Sequence, residues 1–172
     1  MKKISIIILL FFFKINFAIA DISIGFIDMN KIITTSKPGS SIINQLNDIN
    51  VKNLKKFKND AKILKDSETK LISQKNILSE VDFQSKVTKL KIEIKKYNDD
   101  RNKINNDFNK LKLDSTNKLI KLINPILISY LNEKSISLIL HKKDLIIGKK
   151  ELDITDKIIE NVNSEIMVFK IK

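Results

Sequence analysis

The sequence predicts a mainly α protein with a small β body: a long antiparallel helical hairpin, a coiled-coil arm, projects from a strand-built body through which subunits associate. Three observations carry this. No glycine or proline falls between Gly39 and Pro125, a stretch far longer than an ordinary globular helix. Inside it, Phe83, Val87, Leu90, Ile94, Tyr97, Arg101, Ile104, Phe108 and Leu111 advance by alternating steps of four and three, the a/d seam of a heptad repeat with one charged member. On both sides of it, short segments alternate apolar and polar residues as strands do.

The chain opens with Lys2 and Lys3, an apolar run from Ile4 to Phe13, and Ala18-Ile19-Ala20 ahead of Asp21. This is the pattern of a secretory signal peptide over residues 1–20, cleaved after Ala20, because the basic start engages an anionic membrane and the apolar run is too short to span it. An uncleaved anchor is the alternative reading, and Lys14 and Asn16 argue against it by cutting the apolar run short. The sequence has no cysteine, so an exported chain has neither a lipid-anchor acceptor nor a disulfide.

Ile22, Ile24 and Phe26 alternate with Ser23 and Gly25 and read as a first strand, followed by an amphipathic turn through Ile32 and Ile33. Ser36-Lys37-Pro38-Gly39 supplies a cap and a first-turn proline, the start of the first arm helix. Ile43 stands in phase with Phe57, Leu64, Leu71 and Leu78, while Leu46, Asn50, Ala61, Glu68 and Lys75 make a mixed second row. The five-residue step from Leu78 to Phe83 breaks the heptad, and Ser79-Glu80-Val81-Asp82 suits a reversal. The arms are thus expected over 41–78 and 82–119; one very long helix with a stutter is the other geometry this break allows.

Beyond the arm, Pro125 permits a kink in a helix that continues to about Lys134. Ile136, Leu138 and Leu140 predict a second strand, Lys142-Lys143-Asp144 a turn, and Leu145-Ile146-Ile147 a third strand ending at Gly148. Asp153-Ile154-Thr155-Asp156 starts a last helix, with Ile158, Ile159, Val162 and Ile166 at helical spacing. The body therefore comprises 21–40 and 120–172, and the arm 41–119. Three short strands bury too little apolar surface to support an arm of this length alone, so the strand residues Ile22, Ile24, Phe26, Ile136, Leu138 and Leu140 are expected to associate between subunits.

The formal charge of +12, from 32 basic and 20 acidic side chains, falls to +9 without Lys2, Lys3 and Lys14. Between Lys52 and Lys112 the excess is already +8, so the arm carries most of it. Behind a signal peptide this charge points to lipid head groups, lipopolysaccharide or acidic protein segments rather than nucleic acid. Since Lys, Asn and Ile share A/T-rich codons, genome composition is a competing source of the excess.

Catalysis finds no foothold. His141 is the single histidine, and Gly25, Gly39 and Gly148 are isolated, so no metal set, nucleophile pair or phosphate-cradling loop is encoded and no cofactor is expected. Asp99 with Asp100, and Asp153 with Asp156, are more simply solvated charges and helix caps than acid/base pairs.

Ile24-Gly25-Phe26-Ile27-Asp28-Met29-Asn30, the Ser36 to Gly39 start, the lysine-rich hairpin, the Pro125 helix, the following strand and Leu152-Asp153-Ile154-Thr155-Asp156 before a final helix together resemble the Skp/OmpH family of periplasmic chaperones. The order of these elements covers nearly the whole mature chain. The resemblance implies a homotrimer whose strands form a central body, with three arms enclosing a cavity that holds unfolded outer membrane proteins without ATP. It also implies that lipopolysaccharide is a possible ligand. An unfolded β-barrel precursor exposes alternate apolar side chains, so a basic, partly apolar arm suits it. The arm residues expected at such contacts are Phe83, Lys86, Lys89, Lys91, Lys95, Lys96, Arg101 and Lys103, although each lysine alone also fits a solvated coiled-coil face. A periplasmic coiled-coil adaptor and a lipopolysaccharide- or anionic-lipid-binding protein without chaperone activity are the alternatives.

Overall fold

A computed structural model describes residues 22–171. The expected signal peptide and its cleavage point lie outside them. Strand β1 (Ile24–Ile27) leads into α1 (Met29–Thr35), α2 (Lys37–Ser73) and α3 (Glu80–Glu133). After β2 (Leu138–His141), two 3₁₀ turns, Lys142–Asp144 and Lys150–Leu152, precede α4 (Thr155–Glu165).

Local chemistry sets the first boundaries. Asp28 caps α1 by accepting the Lys31 N–H at 2.9 Å. Ser36 alone separates α1 from α2: its N–H donates to the Ile32 carbonyl at 3.1 Å, while its buried hydroxyl accepts the Gly39 N–H at 3.3 Å. At Gly39 the two helices approach so closely that a Cβ there would lie 1.8 Å from the Ile33 carbonyl oxygen.

α2 and α3 pack antiparallel as the predicted hairpin, so the single-helix alternative is excluded. With 37 and 54 residues they extend for about 55 and 80 Å. The reversal comes earlier than expected. α2 stops at Ser73 and the chain turns over 74–79, because Ser79 acts as the α3 N-cap, accepting the Asp82 N–H at 3.1 Å, and Glu80 and Asp82 favour the positive end of the helix dipole. The expected turn residues 80–82 are therefore the first turn of α3.

The α2 seam also corrects the expectation. Phe57 and Leu71 are buried and Leu64 and Leu78 half-buried, as their heptad phase requires, but Ile43 is exposed and Ile42 takes its place in the core. Between Leu46 and Phe57 the inward positions run through Ile49 and Asn53, two consecutive steps of four that shift the phase. Ala61, Glu68 and Lys75 point to solvent; Asp60, Ser67 and Gln74 occupy the intervening seam positions. On α3 the expected seam residues are half-buried except Ile94 and Arg101, which are exposed. Pro125 sits inside α3 on its exposed side, while Ile123 and Ile126 nearby in sequence are buried.

β1 and β2 pair in parallel, with Ile24 opposite Leu138 and Ile27 opposite His141. The second strand starts at Leu138 rather than Ile136, because Ser135 turns the chain at φ 52° and Ile136 donates its N–H back to the Leu131 carbonyl of α3. Leu145-Ile146-Ile147 is not a strand. Ile146 and Ile147 stand in solvent, and the further partner of β1 is the segment before α4: Phe26 bridges to Asp153 and accepts the Ile154 N–H at 3.1 Å. The core is built by Ile27, Ile32, Ile42, Leu46, Leu119, Ile123, Ile126, Ile158 and Val162, joining β1, α1, the roots of both arm helices and α4.

A polar clasp ties the start of α4 to β1. The Asp153 carboxylate accepts hydrogen bonds from the Thr155 N–H and hydroxyl and from Lys142 Nζ at 2.8 Å, while Thr155 Oγ1 accepts the Asp28 N–H at 2.9 Å. Partial burial alone would raise the Asp153 pKa; the bonds from Lys142 and Thr155 outweigh it and hold the carboxyl below its ordinary value.

Two predictions follow from these contacts. Gly39→Ala forces a methyl group into a backbone carbonyl and should lower stability by about 3 kcal/mol, at the upper end of overpacking costs, whereas Gly148→Ala meets the edge of the Phe26 side chain rather than backbone and should cost less. Urea midpoints of the two variants check the order. Because folding lowers the Asp153 pKa, its contribution is complete above the unfolded value of ~3.9 and is lost as pH falls through the folded value. Asp153→Asn should therefore lower stability at neutral pH and flatten the acid limb of a stability–pH curve; an unchanged acid limb contradicts the clasp.

Candidate functional site

The hairpin offers the extended surface. α3 carries all eight expected arm residues, seven of them exposed, while Phe83 is half-buried in the seam near the tip. They do not form one face. Lys89, Lys96 and Lys103 repeat every seven residues and share a row, whereas Lys91 and Lys95 fall on another side of the helix. Lys86 Nζ donates to Gln74 Oε1 across the hairpin at 3.3 Å, and Lys95 pairs with Asp99 at 3.0 Å. That exposed pair contributes little to stability, so the lysine remains available for other partners.

Arg101, the charged seam member, has a structural role. Its guanidinium lies over the Phe57 ring of α2, 5.9 Å from the centroid, a cation–π contact across the hairpin, while the residue stays exposed. Nearby, Tyr97 Oη donates to the Phe57 carbonyl at 3.4 Å. The cleft beside this contact is lined by Lys56, Asp60, Glu93, Lys96 and Asp100, a mixed-charge surface.

The apolar part of the surface escaped the heptad reading. Leu54, Ile63 and Ile72 on α2 and Ile92 and Leu113 on α3 are each more than half exposed, and Ile77 and Val81 at the reversal are 80% exposed, a degree of exposure that leaves them free to bind. Ile43, Leu54 and Ile72 are separated by 11 and 18 residues, close to whole helical turns, so they line one side of α2 beside Lys58 and Lys65. Their sequence signal was apolar residues standing outside the a/d phase. The arm thus presents large apolar side chains interleaved with lysines.

The body has a second exposed apolar region. Ile22, expected in the first strand, lies just ahead of β1 and is 71% exposed, and Ile24 and Leu138 on the paired strands are 38 and 47% exposed, so apolar surface here is left uncovered by this chain. Leu140 is half-buried, while Phe26 and Ile136 are buried within the chain. Leu127, Ile128, Leu131 and the β2 residues form an open apolar hollow of about 420 Å³ beside this strand. Among the described residues no group of three or more metal-ligating side chains occurs, and no helix is long and apolar enough to cross a membrane.

A long two-helix arm on a small mixed body defines a class of arm-and-body proteins. The chain belongs to the OmpH family, described as outer membrane protein (OmpH-like), which matches residues 23–162. A solved structure from Caulobacter crescentus CB15, described as an OmpH-like candidate outer membrane chaperone, shares the fold with a TM-score of 0.83 at 10% sequence identity, covering 88% of this chain and 89% of that chain. No curated protein matches the sequence.

Proposed function

We propose that the mature chain is a periplasmic, ATP-independent holdase that captures unfolded outer membrane proteins after export and keeps them soluble for delivery to the outer membrane. The carrying observation is the arm: exposed leucines and isoleucines alternate with lysines along helices that bury only a narrow seam. Such a surface offers many weak apolar contacts and no single deep site, which suits a client whose apolar side chains are dispersed along an extended chain. Membership of the OmpH family supports a chaperone role. The Lys2–Lys3 start, apolar run and Ala20 site support export.

In this reading the positive arm guides capture and the apolar residues hold. Dilution of a urea-unfolded, acidic outer membrane protein into the mature chain should yield a soluble complex. Reversal of Lys89, Lys96 and Lys103 to Glu should slow association severalfold at low salt and leave the complex lifetime nearly unchanged. Replacing Leu54, Ile72, Ile92 and Leu113 with Ser should shorten that lifetime. Stopped-flow capture separates the two; aggregation unaffected by the wild-type chain removes the holdase reading.

A homotrimer is part of the proposal. A two-stranded sheet is marginal alone, and Ile24 and Leu138 of the sheet, with Ile22 just ahead of it, leave apolar surface in solvent, so further copies of the chain would cover it. Leu138→Asp should dissociate the assembly while the monomer stays helical, because the side chain is half exposed within one chain. Sedimentation with circular dichroism checks this; a trimeric Leu138→Asp chain contradicts the interface. The row of Lys89, Lys96 and Lys103 favours lipopolysaccharide as a second ligand.

A further inference from the structure

After α4 the chain turns back along the root of the arm. Ile166, Phe169 and Ile171 are partly buried against the core, whereas Met167 and Val168 face solvent. One side chain holds this tail by its backbone. Gln45 of α2 donates from Nε2 to the Phe169 carbonyl at 3.0 Å and accepts the Ile171 N–H at Oε1 at 3.1 Å; Nε2 also lies 3.3 and 3.2 Å from the Ser41 carbonyl and hydroxyl. On the α3 side, Lys118 Nζ sits 4.5 Å from the centre of the Phe169 ring.

Both Gln45 bonds go to main-chain groups two residues apart, which any residue but proline in the second position provides. The contact is therefore largely indifferent to sequence. Specificity comes from the alternating apolar side chains, Phe169 and Ile171, and from the cation over the aromatic ring. Alternating apolar side chains with an aromatic among them are also the features of a strand segment of an unfolded β-barrel.

We infer that the groove at the arm root, marked by Gln45 and Lys118, binds extended peptide segments with an aromatic and an aliphatic residue two positions apart, and that the chain's own residues 166–171 occupy it as a tethered pseudo-client. The inference rests on the proposed client-binding role but assigns it a defined site. Tethering gives the tail an effective concentration on the order of millimolar, so it competes with any free segment and yields to one brought in by the arms.

The test uses the full mature chain and a fluorescent peptide of the segment 166–171. The wild type should bind the peptide weakly. Phe169→Ser with Ile171→Ser, which releases the tail, should tighten binding at least tenfold, and adding Gln45→Ala should reverse the gain. Gln45→Glu in the otherwise wild-type chain keeps the acceptor for the Ile171 N–H but loses the donor to the Phe169 carbonyl; it should speed hydrogen exchange across 166–171 while the α2–α3 seam stays protected. Equal peptide binding by wild-type and tail-released chains, or binding insensitive to Gln45, overturns the groove. Aggregation suppression by the same chains separates this from the holdase: suppression without a peptide response sinks the groove alone, and a Gln45-dependent peptide response without suppression sinks the holdase alone.

Discussion

The parallel pairing of β1 with β2 is the constraint on which the rest of the structure depends. Ile24 and Leu138 must meet although more than a hundred residues separate them. Closing a flexible loop of that length would cost on the order of 4 kcal/mol in chain entropy. The stiff hairpin converts the problem into one of helix register: if α2 and α3 return in phase, the end of α3 arrives beside β1. A slip by one residue would turn the apolar face of the strand outward. The arm is thus the connection that allows the sheet to form, as well as an extended surface.

The two ends of the hairpin are held with different strength. At the root, Ile42, Leu46, Leu119 and Ile123 join the common core, where Gly39 lets α1 approach and α4 packs across. Further out, Asp60, Ser67 and Gln74 stand where a stable coiled coil would place leucine, and Arg101 replaces an aliphatic neighbour on α3. Each substitution weakens helix–helix association. The same economy of burial leaves Leu54, Ile72, Ile92 and Leu113 outside the seam. An arm that buried them would be more stable and would offer little to a client. Buried apolar side chains are concentrated in the body and the arm root, and further out only Phe57 and Leu71 are buried among the described residues.

Charge and apolar exposure then act at different ranges. The +8 excess between Lys52 and Lys112 acts over about a Debye length, ~8 Å at physiological salt, before contact is made. The leucines and isoleucines act only on contact. In the proposed holdase role, the first would act on a client before contact and the second after it.

Much of the fold was legible in the sequence because its periodicities are long. The absence of Gly and Pro from 40 to 124, the heptads from Phe83 to Leu111, and the Ser36 cap each specify helix through local forces that tertiary structure had no reason to override. The alternation of Ile24 and Phe26 marked β1 in the same way. What only the tertiary structure decided was phase and partnership. Ile42 rather than Ile43 enters the core because the two consecutive steps of four between Ile49 and Phe57 shift the seam by one residue, which the heptad pattern does not reveal. Leu145-Ile146-Ile147 has strand-forming residues but no strand, because Asp153 and Ile154 pair with β1 and a strand exists only with a partner. Gln45 gives no sign in the sequence of holding Phe169 and Ile171, 124 and 126 positions away; that contact exists because the body returns the tail to the arm root. Local propensity writes helices into the sequence, while pairing between distant segments is settled only when the whole chain closes on its core.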